Sequence, residues 1–370
     1  MTTAARPAPP SVHPAPGASG RPARDAGGAR VPARGGRRST ALVVAGVAIL
    51  VASLLAAVVI GPADLTVPEV WAAVRHHLGL GDAPTSALRD AIVWQGRLPR
   101  ALVAACVGAG LALCGAVMQS LTRNPLADPY LLGLSSGASL GAVAVLLLGV
   151  NLLLPVAAFA GSLLALVAAL ALAGSLGAIT PTRTVLAGLA VGQLCAAVTS
   201  FVIFWTATGD SYREVLSWLM GSVAGATWTS VAIAGGALVL LGLPLAAAGN
   251  VLDAFTFGDA SAATLGLPVA RTRWLLLGAV ALLTGALVSV SGSIGFVGLV
   301  LPHAVKALTG PRHRVVLPVA ALAGATFLVW ADTLARTVLD PREIPVGVVT
   351  AAVGAPVFAL LLWRGRKVIS

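Results

Sequence analysis

Arg97-Leu98-Pro99-Arg100 leads into an apolar run that ends at Gln119, and Arg123-Asn124-Pro125-Leu126-Ala127-Asp128-Pro129 follows directly. Two arginines mark one boundary of the run, and a stiff, proline-bounded loop marks the other. A segment of this length, apolar throughout and without period-two alternation, reads as a membrane-crossing helix. Paired charges at one membrane face and a structured loop at the other point to transport.

Composition fixes the solvent. The chain of 370 residues is 58% hydrophobic and only 10% charged, with a mean hydropathy of +0.94. That much apolar surface cannot be hidden inside a water-soluble domain of this size. Spans in a bilayer must satisfy their own backbone hydrogen bonds, and long, uniformly apolar runs do so as helices rather than as a barrel. The expected fold is therefore an all-α membrane protein, a polytopic bundle. Cys106, Cys114 and Cys195 fall inside predicted spans with no CxxC spacing, so neither a disulfide framework nor a zinc site is indicated.

Residues 1–40 are rich in Pro, Gly, Ala and Arg and lack apolar periodicity. They are expected to form a disordered basic tail, because nothing in them offsets the entropy of folding; residues 41–370 form the membrane domain. Arg37-Arg38 reads as the positive flank of the first span rather than an export signal, since the apolar run that follows is of span length.

At about 20 residues per span, helices are placed near 41–60, 98–120, 131–150, 155–176, 184–206, 228–248, 273–291, 295–308, 315–335 and 345–363. An even number of spans puts both termini on one side. The larger share of the 24 Lys and Arg lies on that side, so both termini are expected in the cytoplasm of a multi-pass protein of the bacterial cytoplasmic membrane. Ser217 to Trp228 is read as a short re-entrant or interfacial helix.

Arg97-Leu98-Pro99-Arg100, Gly108-Ala109-Gly110, Gly115, Gln119, Asn124 to Pro129 and Leu132-Gly133-Leu134-Ser135-Ser136-Gly137-Ala138 together resemble the opening signature of the FecCD family, the permease subunits of bacterial iron-siderophore, haem and cobalamin ABC importers. Gly295 to His303, Glu343 to Thr350 and Gly354-Ala355-Pro356-Val357-Phe358 resemble its closing signature. The match runs from about Val67 to Trp363, in the family's order. The resemblance implies a type II importer fold of ten helices, working as a dimer with a second permease copy, either identical or a sister chain. It also implies two copies of an ATPase subunit and an extracytoplasmic substrate-binding protein, with no cofactor and no nucleic acid. The cargo it implies is a ferric siderophore, with cobalamin or haem as alternatives.

The residues agree that the energy source lies elsewhere. A P-loop needs Gly-Lys-[Ser/Thr], so that a lysine can reach the phosphates. Lys306 follows Val305 and Lys367 follows Arg366, and the chain has no other lysine. The chain is thus not expected to be an enzyme itself.

Phe255 to Pro268 reads as a short helix in the loop after the sixth span. Asp259 occupies the first turn, where it suits the helix dipole, while Gly266 and Pro268 stop the helix. Ala262 and Leu265 are expected to share one face. On spacing alone this is a coupling element or a well-capped interfacial helix. The resemblance implies ATPase coupling by Gly258, Asp259, Ala262, Leu265 and Gly266.

Arg97 and Arg100 lie three apart at an outer face, against the usual charge bias. They either anchor to lipid phosphate, pair locally with Asp90, Asp332 or Glu343, or serve a partner. The resemblance implies that Arg97, Arg100 and Arg336 dock the binding protein through its carboxylates. It also suggests a gate at Pro181 and Thr182, where a Pro-Thr loop is otherwise a plain connector. Gly133, Gly137 and Gly141 form a small-residue stripe suited to close helix packing. Asn124 and Asp128 are expected to cap helix ends beside their prolines. His303 and Lys306 lack a further ligand at metal spacing, so His303 reads as a loop anchor.

Two other classes fit poorly. An ion-coupled transporter would carry ionisable groups near mid-membrane, but the acids here fall at span ends or in loops. An intramembrane enzyme would need a buried dyad or a metal motif, and neither is present in the sequence. The reading is an ATP-driven importer permease working by alternating access.

Overall fold

The computed structural model describes residues 34–366 apart from 62, 64, 83–85 and 176–179. The expected basic tail falls mostly on residues 1–33, outside the described residues. Every regular element among the described residues is helical. Seven helices have the length and apolarity to cross a membrane, and three shorter apolar helices complete the ten expected.

In chain order these are α1 (Arg34–Val59), the amphipathic α2 (Val67–His77), α3 (Ala87–Thr122), α4 (Leu134–Leu146), α5 (Leu154–Ser175), α6 (Pro181–Thr206), α7 (Asp210–Leu219), α8 (Trp228–Ala247), α9 (Gly249–Thr256), α10 (Asp259–Thr264), α11 (Val269–Ser291), α12 (Val297–Thr309), α13 (His313–Thr337) and α14 (Val346–Arg366). The short spans are α4, α12 and α14. With 13 residues each, α4 and α12 extend only about 20 Å. The expectation of 131–150 is trimmed accordingly, because Leu147 to Val150 are apolar yet form a turn, while that of 295–308 holds to within two residues.

The helix expected within Ser217–Trp228 is displaced. It is α7, which ends at Leu219, and residues 222–227 form a turn that leads into the Thr227 cap of α8. Gly209 before it and Asp210 in its first turn are the local start signals.

Helix α3 is the hub, with 89% of its most apolar window buried. It lies antiparallel to α13. Gly108 of α3 and Gly324 of α13 meet so closely that a Cβ on either would overlap the carbonyl of the other. A Cβ on Gly115 would likewise overlap the carbonyl of Gly298 in α12, and one on Gly298 would meet Leu111 O. This is the small-residue packing by which membrane helices gain contact when no hydrophobic drive separates protein from lipid. The stripe of Gly133, Gly137 and Gly141 serves it too: Gly137 and Gly141 pack on Gly161 and Ala157 of α5, and Gly133 sits against Gly188 and Gly192 of α6.

Pro99 does not start its helix. The helix runs back to Ala87, with Ile92–Arg97 wound as a π-helix just before Leu98-Pro99. The same device precedes Leu243-Pro244, where Leu238–Gly242 is π. Proline lacks an N–H and its ring crowds the carbonyl four residues back, and the wider π turn accommodates both.

Helix α1 runs parallel to α13: Gly46 lies beside Leu322, Trp330 Nε1 donates to Ser53 Oγ at 3.0 Å, and Arg336 donates to the Ala57 carbonyl. The chain then turns at Ile344, whose N–H donates to Ala335 O, and α14 runs back. The described chain therefore begins and ends at the same end of the bundle. Helices α9 and α10 lie at that end, here termed the loop end, and Arg97, Arg100 and Arg336 lie at the opposite, arginine end.

Candidate functional site

At the arginine end, α1, α3 and α13 bring the three expected arginines together. Arg97, 7% exposed, donates Nη1 to the carbonyls of Val58 (2.9 Å) and Val59 (2.7 Å) and Nη2 to Ala63 O (2.7 Å). These are the free carbonyls at the C-terminal end of α1 and just beyond, where positive charge is favoured. Arg100 is held by two carboxylates. Its Nε donates to both oxygens of Asp332 (3.0 and 2.9 Å), its Nη2 to Asp332 Oδ1 (2.9 Å), and its Nη1 to Glu343 Oε2 (2.8 Å). Arg336, 5% exposed, has its Nε 3.9 Å from Asp332 Oδ2, and that Nε has no hydrogen-bond partner.

Asp332 is 3% exposed, whereas the Glu343 side chain is 44% exposed. Three guanidinium groups thus stand beside two carboxylates, which pair with Arg100 and Arg336 while Arg97 bonds only carbonyls; Glu343 lies on the rim of a cavity of about 340 Å³ that it lines with Arg97, Arg100 and Arg336. The arrangement keeps a net positive charge in a concave, partly desolvated place, which suits a carboxylate presented from outside. Of the local partners weighed from the sequence, Asp332 and Glu343 are the ones engaged. Asp90 instead bonds His77 at 2.9 Å.

At the loop end, the segment expected as one short helix is two. Phe255 and Thr256 close α9, Gly258 breaks the chain with φ +99°, and α10 begins at Asp259. Helix α10 ends in a Schellman motif: Leu267 N–H donates to Ala262 O, and Gly266 N–H, with φ +81°, donates to Ala263 O. Asp259 Oδ1 accepts from Arg273 Nη2 at 2.6 Å, and the Arg273 guanidinium lies 5.6 Å from the Phe255 ring centre.

The expectation that Ala262 and Leu265 share a face is corrected. Ala262 is fully buried against its own chain, while Leu265 is 70% exposed. Helix α10 stops at Thr264 with Leu265 as its cap, and the Leu265 N–H still donates to Ser261 O at 3.3 Å, so the two side chains differ in burial while the helical bonding reaches both. The exposed apolar side chains of this segment are Leu265 and Phe257, the latter 79% exposed.

The proposed gate residues start α6. Thr180 caps it by accepting from Arg183 N–H at 3.3 Å, and Thr182 is exposed. Nearby, Asp128 and Tyr130 line an open cavity of about 410 Å³ with Ser136, Gln193 and Phe296. Asp128 does the capping expected of it, accepting from Tyr130 N–H at 2.8 Å at the start of the short 3-10 helix Pro129–Leu132, whereas Asn124 caps no helix and instead closes the preceding turn by accepting from Leu126 N–H at 2.9 Å. Among the described residues no cluster of His, Cys, Asp or Glu could hold a metal ion.

With this geometry in place, comparison with known proteins is decisive. The FecCD transport family matches residues 39–364. The chain belongs to that family. An uncharacterised ABC transporter permease of Bacillus subtilis is 40% identical over 88% of this chain and 94% of its own length. A cobalamin import system permease of Halobacterium salinarum is 41% identical over 90% and 98%. A solved metal-chelate type ABC transporter, in an inward-facing conformation, superposes with a TM-score of 0.76 at 30% identity, covering 88% of this chain and 99% of that one.

The chain is accordingly an ABC importer permease of FecCD type. In this permease the structure also places residues that the sequence reading passed over. Asp253 of α9 and His313 of α13, sixty positions apart, form a bonded pair at 2.7 Å, with Lys306 in electrostatic range of both. Ser120 Oγ donates to Leu252 O at 3.3 Å. No spacing in the sequence links these positions, because each bond joins the ends of helices that are distant in the chain.

Proposed function

We propose that the chain is the translocating subunit of an ATP-driven importer for a metal chelate, pairing with a second permease copy. The ATPase docks on the loop end and an extracytoplasmic binding protein on the arginine end. The observation that carries this reading is the contrast between the two ends: a concave cluster with three arginines to two carboxylates at one, and an exposed Leu265 and Phe257 on a tightly capped loop at the other. On this reading both termini are cytoplasmic, residues 1–40 are a cytoplasmic tail, and Pro181 and Thr182 stand at the inner gate.

Docking at the arginine end works by exchange. Arg97 and Arg336 are committed to carbonyls and to Asp332, while Glu343 is the partner that can swing away. An incoming carboxylate then replaces Glu343 on Arg100. Gly258, Asp259 and Gly266 shape the coupling loop, Ala262 roots it, and Leu265 supplies its contact. Closure of two such loops by ATP binding would drive alternating access. Helix α6, with Leu186, Leu194 and Phe201 exposed, offers a face for the second copy or for lipid.

Cobalamin leads among cargoes, since relatives 40–42% identical carry that name. A ferric siderophore, the cargo expected from the sequence, stands second, supported by the metal-chelate neighbour. The test is ATP-dependent uptake of labelled cobalamin and of a labelled ferric hydroxamate into vesicles, with and without the ATPase and binding protein. Cobalamin uptake that needs all three components is expected. Uptake of only the iron chelate would change the cargo, and uptake without the ATPase would overturn the machine.

A further inference from the structure

Helices α3 and α13 are joined at three levels along their length. At the arginine end Arg100 grips Asp332 through three hydrogen bonds. Midway, Gly108 and Gly324 bring the two backbones into direct contact. At the loop end both helices attach to consecutive residues of the same short helix, α9. Ser120 of α3 donates to Leu252 O, while Asp253 Oδ1 accepts both the backbone N–H (3.0 Å) and the ring Nδ1 (2.7 Å) of His313.

The last contact is specific. The first N–H groups of a helix lack intrahelical partners, and a carboxylate there is doubly favoured, by the hydrogen bond and by the helix dipole. Asp253 supplies that cap to α13 from another element. A carboxylate oxygen can only accept, so His313 carries its proton on Nδ1. Its ring, 3% exposed, is thereby fixed, with Nε2 left unbonded. Gly249, at the start of α9, lies directly on the Arg314 backbone, with no room for a Cβ. Helix α10 begins six residues after Asp253.

We infer that α3 and α13 form one strut that transmits movement between the coupling loop and the arginine end, and that the Asp253–His313 pair is its inner joint. Close-packed interiors pass displacement on rather than absorb it, and two helices locked at both ends and in the middle have little freedom to slide. A shift of α10 carries α9 with it, and α9 moves both helices that hold Arg100 and Asp332. Asp253 and His313 are positioning residues that touch neither partner. The inference rests on the assignment of the two ends given above.

The experiment uses the full complex in proteoliposomes and reads the ratio of ATP hydrolysis with the binding protein to hydrolysis without it. Asp253→Ala should assemble, retain its basal hydrolysis, and lose stimulation by about five-fold or more, the lower range for coupled sites. Asp253→Asn, which still accepts from both donors, should restore most of the ratio. A merely structural role would lower basal and stimulated rates together, and that result, or an unchanged ratio in Asp253→Ala, would overturn the inference. If Asp253→Ala fails to assemble, His313→Gln decides by the same ratio, since it keeps the backbone cap and alters the ring contact. Leu265→Asp run alongside separates the two levels: full coupled hydrolysis in that variant would reject the coupling loop itself, whatever Asp253 does.

Discussion

At the arginine end four charged side chains, with Glu343 at their rim, are packed among helices and bonded to one another or to backbone carbonyls, whereas at the loop end the segment joining α9 to α11 holds two apolar side chains out in the open. Arg97, Asp332 and Arg336 are each 7% exposed or less, while Phe257 and Leu265 are 70% exposed or more. Buried charge narrows the allowed geometry, because a donor left unmet is costly; exposed apolar surface is insensitive to geometry until a partner covers it. On the proposed function, one end serves precise electrostatic recognition and the other broad contact on a tightly capped loop.

The largest break in this contrast is Asp332→Ala, which leaves Arg100 and Arg336 without their shared buried carboxylate. Removing one partner of a buried ion pair costs about 3–5 kcal/mol. Thermal unfolding in detergent should therefore drop sharply, and an unchanged midpoint would show that the cluster is not structural.

Leu265→Asp should do the reverse, leaving the unfolding midpoint in place while abolishing coupled ATP hydrolysis in the reconstituted complex. Surface substitutions of this kind move stability by about 0.5 kcal/mol or less. Loss of folding instead of coupling would mean that Leu265 belongs to the core.

Glu343→Ala sharpens the exchange model. The Arg100–Glu343 contact is half-exposed and worth at most about 1 kcal/mol, so stability should barely change. Binding-protein affinity should rise several-fold at low salt, as titration by light scattering or fluorescence would show, and the gain should shrink as salt screens it. Weaker binding would make Glu343 itself a contact.

The smallest effect concerns α2. Glu69 accepts from the Thr66 N–H and Oγ1, and these bonds, with Arg89 beside it, hold its carboxyl below the ordinary glutamate range. The cap is therefore complete above the usual glutamate pKa and is lost as pH falls through the lowered value. Hydrogen exchange in α2 should quicken only on strong acidification, and Glu69→Gln should remove that dependence.

Ten spans were legible because twenty-residue apolar runs announce themselves, and their order carried the family resemblance. Three features were not. The helix containing Pro99 runs on toward Ala87 because a π turn accommodates the ring, a conformation that no residue pattern marks. Ala262 is fully buried and Leu265 is 70% exposed because the body of α10 packs against the chain while its capping end does not, and helical spacing alone does not mark that limit. The Asp253–His313 contact is a tertiary cap, supplied by a residue sixty positions away, and local sequence holds no trace of it. The arginines were found by their motif, but their burial and their division between carbonyls and carboxylates emerged only from the packing of α1, α3 and α13.

Site-directed crosslinking tests the assignment of the ends most directly. Cysteine introduced as Leu265→Cys should crosslink to the ATPase subunit, and Glu343→Cys to the binding protein, each in the assembled complex. Crosslinks in the opposite sense, or both positions reaching the same partner, would contradict it.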